Sequence, residues 1–366
     1  MKRDANPGPR IEVCSDCRGD GDGVSRDGVS RRDFLRTVGA TAAVVGAAAS
    51  PLGSLLGAEK KDKSKPAETY VKLLHDSLSA EQRKVMHFPF DHEKRSMISN
   101  NWNIVEPKVG AIGQLYTSDQ KEIIRKILQG VTSEDGYERF QKQMKDDAGG
   151  FEKYTCALFG KPGEDKFEFV LTGRHLTIRA DDNSVENTAF GGPIFYGHAV
   201  TFHEQPDHPG NVWWHQARLA NEVYKSLDGK QREKALLAKS PPDNASTIRL
   251  RGQKGDIPGM PVAELSGDQK GLIKKTLKSL MNMYRESDVE EVMKCVEKNG
   301  GVDKLRLSFY RDEDIGDDGI WDRWRVEGPA FVWYFRGSPH VHTWVNVAHS
   351  APGDSAPGNS APGDSA

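Results

Sequence analysis

Two histidines separated by one residue, His340 and His342, have the spacing in this sequence that best suits chemistry. Side chains two apart in a β-strand point to the same face, so both imidazoles could bind one metal ion. The pair follows an apolar segment at 331–335 and a turn at 337–339, which places it at the start of a strand. The sequence therefore predicts a metal site built around this pair, on a rigid element of the fold.

Histidines earlier in the chain are candidates for the remaining ligands. They are His175, His198 and His203, and the neighbouring Glu204 is the candidate catalytic base or carboxylate ligand. Two or three imidazoles with a carboxylate suit Zn²⁺, Fe²⁺ or Cu²⁺, whereas Ca²⁺ and Mg²⁺ prefer oxygen ligands. An open position on such an ion permits activation of water for hydrolysis, or oxygen chemistry. The pattern indicates a metal-dependent hydrolase or oxidoreductase.

The same histidines have a structural interpretation. Buried imidazoles often hydrogen-bond backbone carbonyls or cap strands, and the chain would then be a non-catalytic binding or scaffold module. The two interpretations differ in geometry. If the nitrogens of His340 and His342 lay more than about 5 Å from each other and from other ligands, tetrahedral coordination at about 2.0 to 2.1 Å would fail.

Amphipathic helices and apolar strands must position these residues. Ser-x-x-Gln patterns near Ser79 and Ser118 mark helix starts, and isoleucines and leucines at 123, 124, 127 and 128 share one helical face. The segments with strand character are 153–159, 167–179, 305–310 and 321–335. No glycine-rich nucleotide-binding turn is present in the sequence. We expect an α+β fold in which antiparallel sheets pack against amphipathic helices.

Parts of the sequence resemble each other in a fixed order. The matching pairs of segments are 77–83 with 226–232 and 117–128 with 265–277. We therefore expect one domain over 59–349, built of two tandem related repeats at 77–200 and 226–347. The histidine-bearing segment 191–203 then corresponds to 337–347, so the candidate ligands of the two repeats would face each other.

An export signal precedes this domain. Residues 30–36, Ser-Arg-Arg-Asp-Phe-Leu-Arg, match the twin-arginine pattern, and the apolar run 38–49 that follows is too short to span a bilayer. The sequence predicts a twin-arginine signal region over 1–58, cleaved between 49 and 59. The mature protein would act in the periplasm or outside the cell, with the twin-arginine export machinery as a partner.

Segments outside the domain contribute little chemistry. Cleavage would remove Cys14 and Cys17, which leaves Cys156 and Cys295; these two could pair in an oxidising compartment.

The segment 350–366 repeats Ser-Ala-Pro-Gly-Asp/Asn and has no side chain able to form a core. We expect it to be a disordered tail.

Composition excludes several classes of partner. The 51 basic and 53 acidic residues nearly balance at a net charge of −2, and no basic stripe suited to nucleic acid stands out. No stable membrane span is expected after cleavage. The ligand is then an unknown small molecule or polymer.

Tryptophans could line a groove for a sugar or an aromatic ligand, although core packing explains them as well: Trp213, Trp214, Trp321, Trp324, Trp333 and Trp344.

Several motifs together resemble the domain of unknown function 3500 (DUF3500) family. They are Leu-Ser-Ala-Glu-Gln-Arg at 78–83, Phe-Gly-Lys-Pro-Gly at 159–163, Gly-Arg-His-Leu at 173–176, Phe-Gly-Gly-Pro at 190–193 and Gly-Ser-Pro-His-Val-His at 337–342. The family has no assigned activity, so the resemblance implies a domain over most of the mature chain and no particular reaction. Pro339 and Glu327 depart from the usual family pattern, which has Asn and His there.

Overall fold

The computed structural model describes residues 67–164, 166–181, 184–185, 188–199, 210–315 and 318–351. The predicted signal region 1–58, nearly all of the predicted tail 350–366, and the candidate site residues His203 and Glu204 lie outside these ranges. Within them, no helix combines the length and the apolar character that crossing a membrane requires.

The described residues contain ten α-helices. They are α1 Ala67–Ser77, α2 Ala80–Met86, α3 Pro107–Gly110, α4 Ile112–Leu115, α5 Ser118–Val131, α6 Glu134–Ala148, α7 His215–Ser226, α8 Gly229–Ala235, α9 Gly267–Leu280 and α10 Glu286–Lys298. Four of them, α2, α5, α8 and α9, begin with a capping box in which a side-chain oxygen and a glutamine satisfy the first free backbone N–H groups. The cap of α5 is Thr117, one residue before the predicted Ser118.

Eleven strands form the sheet of the described region. They are β1 His87–Phe88, β2 Thr155–Gly160, β3 Phe167–Gly173, β4 Leu176–Ala180, β5 Ile194–His198, β6 Leu236–Leu237, β7 Met260–Pro261, β8 Arg306–Tyr310, β9 Arg323–Gly328, β10 Phe331–Arg336 and β11 Val341–Val347. Their order is β1-β2-β3-β4-β5-β11-β10-β9-β8-β6, with β7 paired to β8.

The α+β class is confirmed, but the expected separate antiparallel sheets are wrong, because the strands make a single mixed sheet. Two features cause the difference. β5 pairs with β11 and so joins the strands of the two halves of the chain. The two-residue strands β1 and β6 follow directly after α2 and α8 and pair in parallel with β2 and β8.

The core covers both faces of the middle of the sheet. Every residue of β3, β4, β9 and β10 is buried, which requires packing on both sides. Tryptophans fill much of this core: Trp213, Trp214, Trp324, Trp333 and Trp344 are each less than 2% exposed. These five side chains are therefore core residues and do not line an open groove.

The two cysteines of the described region do not pair. Cys156 and Cys295 are separate, buried thiols, and burial raises the pKa of each to about 12. The sulfur of Cys156 lies 3.2 Å from the hydroxyl of Tyr116. Both thiols are therefore protonated and poorly nucleophilic at neutral pH.

Candidate metal centre

Three histidines that are distant in sequence lie together inside the protein. His175, His340 and His342 are buried, and one ligand nitrogen of each lies within 4.8 Å of those of the other two. The centres of the three rings are 4.6 to 5.1 Å apart. This buried group could bind a metal ion, and it is the one histidine, cysteine or carboxylate group of this kind within the described ranges.

His175 is fixed by its backbone in the turn between β3 and β4. Its φ of 57° lies in the left-handed region, which for residues other than glycine costs about 1–3 kcal/mol. The surroundings hold it there: its N–H donates to the carbonyl of Asn100 at 3.0 Å, and its own carbonyl accepts from Gly197 N at 3.1 Å and Gln143 Nε2 at 2.7 Å. The strained turn directs this imidazole toward β11.

The glycine on β5 allows the close approach of the two halves of the site. Gly197 stands opposite His342 in the pairing of β5 with β11. A Cβ atom on Gly197 would lie 2.3 Å from the carbonyl oxygen of Val341 and 3.3 Å from Cδ2 of His342. A side chain at this position would push β11, and the His-x-His pair with it, away from β5.

Two of the three imidazoles are held by carboxylates. Asp147 Oδ2 lies 2.9 Å from Nδ1 of His175, and Asp243 Oδ2 lies 2.7 Å from Nδ1 of His342. An ionised carboxylate can only accept, so the proton of each imidazole sits on Nδ1 and the lone pair on Nε2. In many metal sites a carboxylate accepts a hydrogen bond from the other ring nitrogen of a ligating histidine and so orients its ring.

The remaining contact joins the two members of the His-x-His pair. Nε2 of His340 lies 2.9 Å from Nε2 of His342. Because the His342 nitrogen carries a lone pair, the His340 nitrogen donates to it when no ion is between them. Two nitrogens bound tetrahedrally to one Zn²⁺ are about 3.3 Å apart, so a shift of a few tenths of an ångström would let both bind an ion.

The histidine pair is neutral at ordinary pH. Burial, reinforced by the repulsion that a protonated His342 would exert and by the Arg336 guanidinium, lowers the pKa of His340 far below its usual value. Burial and the Arg336 guanidinium lower the pKa of His342 to about 3. Imidazoles bind metals in the neutral form, so protons would not compete for these ligands near neutral pH.

Asp243 is the centre of the hydrogen bonds around the pair. Besides His342, it accepts from Arg336 Nη1 at 2.6 Å and from the indole Nε1 of Trp344 at 2.8 Å. Burial alone would raise the pKa of Asp243, but His342, Arg336 and the indole N–H outweigh burial and hold it well below its usual range. The carboxylate is therefore ionised and fixes the His342 ring.

His198, another predicted ligand, is buried beside the group and is not one of its three members. Its Nε2 faces Asp146 Oδ2 at 3.0 Å, and the same oxygen accepts from Lys142 at 2.6 Å. His203 and Glu204 lie outside the described residues. The structure thus brings His175 together with the His-x-His pair and gives His198 a carboxylate partner of its own.

The supporting residues Asp146, Asp147, Asp243 and Arg336 were not among the residues predicted from the sequence. One signal was available for the first two, because both lie in the last turn of α6. Acidic residues at a helix C-terminus are disfavoured by the helix dipole, so such a pair indicates a role beyond helix stability. No local signal marks Asp243, which is 99 residues before His342 in sequence.

The donor set favours a borderline transition metal. Three imidazoles suit Zn²⁺, Fe²⁺ or Cu²⁺, and three protein ligands on Zn²⁺ leave a fourth position for water or substrate. The two nearest carboxylates are engaged with imidazole N–H groups, so they orient the ligands.

Comparison with known proteins gives one match. The family model described as protein of unknown function (DUF3500) matches residues 60–350. No curated protein and no solved structure matches the chain.

Proposed function

Because the chain belongs to the DUF3500 family, which has no assigned function, its activity must be argued from its site, and we propose that it is a metal-dependent enzyme. The ion would be held by His175, His340 and His342. The observation that carries this proposal is the convergence of three buried imidazole nitrogens within 4.8 Å of one another. Carboxylates behind two of the three rings support it further.

Hydrolysis is the reaction class that the donor set favours. Zn²⁺ bound by three imidazoles lowers the pKa of water in its fourth position, which makes a nucleophile available near neutral pH. Iron sites that activate oxygen commonly use two histidines and a carboxylate ligand. Here Asp147 and Asp243 accept from imidazole Nδ1 atoms. This arrangement favours a zinc hydrolase over an iron oxidoreductase.

A second candidate function is a non-catalytic binding or scaffold module. One observation supports it: the hydrogen bond of 2.9 Å between His340 and His342 satisfies both nitrogens without an ion. The two candidates differ in metal content, which can be measured directly.

The test uses the full-length chain purified without a histidine tag. Elemental analysis should find about one transition-metal ion per chain in the wild type and little in the double variant His340→Ala/His342→Ala. His349→Gln serves as the control, since this histidine is outside the group, and it should keep the metal. Equal metal content in the wild type and the double variant would support the non-catalytic module.

We also propose that the domain contains two related units, 77–200 and 226–347. In each half, a short capped helix leads into a two-residue edge strand, and two longer helices and four strands follow. The capping glutamines also pair in each half, Gln82 with Gln120 at 2.7 Å and Gln231 with Gln269 at 2.8 Å.

On this proposal the histidine group lies where the two units adjoin. His175 belongs to the first unit and the His-x-His pair to the second, and β5 pairs with β11 between them. Fragments 59–209 and 210–351 should therefore bind the metal when produced together and not when produced singly. Metal binding by either fragment alone would argue against a site shared between units.

The proposed place of action is the periplasm or the exterior of the cell. The support is the Ser-Arg-Arg-Asp-Phe-Leu-Arg sequence at 30–36 and the apolar run after it. The twin-arginine machinery passes folded proteins, so the domain would acquire its metal before export.

A further inference from the structure

A buried arginine stands beside the histidine group. Arg336 is the last residue of β10 and is 4% exposed. It pairs with His342 on one side and with Arg323 of β9 on the other. A guanidinium is always charged in proteins, and a buried one needs partners for its donors.

The partners of Arg336 occupy only part of the guanidinium. Nη1 donates to Asp243 at 2.6 Å, and Nη2 lies 3.4 Å from Nε2 of His340. Nε is buried and has no hydrogen-bond partner. Nε and Nη2 together form one edge of the guanidinium. This edge can donate two parallel hydrogen bonds to an anion that has two oxygens.

Neither state of the histidine pair gives this edge an acceptor. Without an ion, Nε2 of His340 carries the proton that it donates to His342, so it cannot accept from Nη2 of Arg336, 3.4 Å away. With an ion, the lone pair of that nitrogen would bind the ion instead. The Nε and Nη2 edge would therefore lie beside the ion without an acceptor on His340.

The charges near the histidine group also favour the binding of an anion. A divalent ion and Arg336 together carry three positive charges, and the two carboxylates in contact with the group, Asp147 and Asp243, supply two negative charges. In a buried site an unbalanced positive charge is unfavourable. An anion bound between the ion and the guanidinium would offset this excess of positive charge.

Building on the proposed metal enzyme, we propose that its substrate is an anion with a planar or tetrahedral two-oxygen group, a carboxylate or a phosphate. Arg336 binds this group through Nε and Nη2, next to the ion. Asp243 positions the guanidinium through Nη1 and at the same time holds His342, so one carboxylate sets the distance between the anion site and the metal site.

The test uses the full-length chain with Co²⁺ in place of the native metal, because the visible absorption of Co²⁺ reports what binds to it. The protein is titrated with acetate, inorganic phosphate, azide and acetamide. Acetate or phosphate should change the spectrum, and neutral acetamide should not at the same concentration. Azide needs no bidentate partner and should bind through the ion alone.

Variants assign the effect to Arg336. Arg336→Lys keeps the charge and loses the forked edge, so affinity for acetate or phosphate should fall about 10-fold to 100-fold. Its Co²⁺ content and azide affinity should stay within about twofold of the wild type. Arg323→Lys is the matched control, a buried arginine on the next strand that bonds Ser240 and Glu313, and it should bind both anions normally.

The outcomes separate this inference from the proposed function. Cobalt bands with azide binding, but no response to acetate or phosphate, would overturn the anion site and leave the metal site standing. Equal responses to acetate and acetamide in the wild type would overturn it too, whether or not the Lys variant folds. Failure to bind Co²⁺ at all would overturn the metal enzyme and the anion site together.

Discussion

The carboxylate of Asp147 holds the ring of His175, with Oδ2 2.9 Å from Nδ1 and both side chains 0% exposed. Asp147 comes from the last turn of α6 and His175 from the turn between β3 and β4. The other carboxylate oxygen of Asp147, Oδ1, accepts a hydrogen bond from the backbone N–H of Ala199 at 2.8 Å, just after β5. One carboxylate therefore ties together the helix, the turn and the strand that adjoins β11.

This contact leads to a prediction about metal affinity. The Asp147→Asn substitution weakens the hydrogen bond to Nδ1 of His175 and lowers the basicity of that imidazole. The affinity of the site for Zn²⁺ should therefore fall about 10-fold to 100-fold. The adjacent Asp146→Asn is the control, because Asp146 bonds His198 and Lys142. Competition with a zinc-binding dye measures both affinities. If the two variants bind Zn²⁺ alike, Asp147 does not support a metal ligand.

The close approach at Gly197 predicts a stability effect. Gly197→Ala would place a Cβ atom 2.3 Å from the carbonyl of Val341, and the free energy of unfolding should fall by about 1–3 kcal/mol. The metal affinity should fall as well, since His342 moves with β11. Urea unfolding and zinc titration measure the two effects.

The control for that variant is Gly271→Ala in α9, where a new Cβ meets no atom within 4 Å. Alanine in a helix interior should raise the free energy of unfolding by about 0.5–1 kcal/mol. A Gly197→Ala protein as stable as this control would mean that β5 and β11 approach less closely than described.

His215 gives a prediction about acid stability. Burial, together with the Arg139 guanidinium, lowers the pKa of His215 to about 4. Between its ordinary pKa of about 6.5 and this value, the unfolded chain binds a proton that the folded chain does not. The stability from this group is therefore lost as pH falls, by about 3 kcal/mol in all between pH 7 and pH 4.

Comparison with His215→Gln isolates this contribution from the other groups that titrate in the same range. The free energy of unfolding of the wild type minus that of the variant should decrease by about 3 kcal/mol over those pH values. Urea unfolding at several pH values measures it. A difference that does not change with pH would mean that His215 is protonated in the folded protein.

The export proposal predicts a change of compartment. Arg31→Lys/Arg32→Lys should keep the chain in the cytoplasm with its amino-terminal region intact, because the machinery requires the arginine pair. Arg36→Lys, which alters the third arginine of the motif, should be exported normally. Cell fractionation and amino-terminal sequencing in a bacterial host provide the readout. Export of the double variant would exclude a twin-arginine route.

The sequence predicted those features of the site that depend on local spacing. His340 directly precedes β11 and His342 is the second residue of that strand. Their Nε2 atoms lie 2.9 Å apart on one side of the strand, as the two-residue period requires. The helix start at Ser79 follows from the same kind of local pattern, whereas the cap of α5 is Thr117, one residue before the predicted Ser118. The class of the fold followed from the mixture of such helices and strands.

Features of the site that depend on which strands pair could not be predicted from local sequence patterns. His175 reaches the pair only because β5 lies between β4 and β11, and no sequence period encodes that order. Asp243 is brought to His342 across 99 residues. Its loop, Ser-Pro-Pro-Asp-Asn at 240–244, has the composition of a turn, which says nothing about a distant partner. The edge strands β1 and β6 have two residues each, too few to show an alternation.

The binding of one transition-metal ion by His175, His340 and His342 can be observed directly in a crystal. Anomalous X-ray scattering from a crystal of the untagged protein, with data on both sides of the zinc absorption edge, tests it most directly. We expect one anomalous peak at about 2.0 to 2.1 Å from the Nε2 atoms of all three histidines. A zinc-soaked crystal without that peak, in which Nε2 of His340 still lies 2.9 Å from Nε2 of His342, would contradict it.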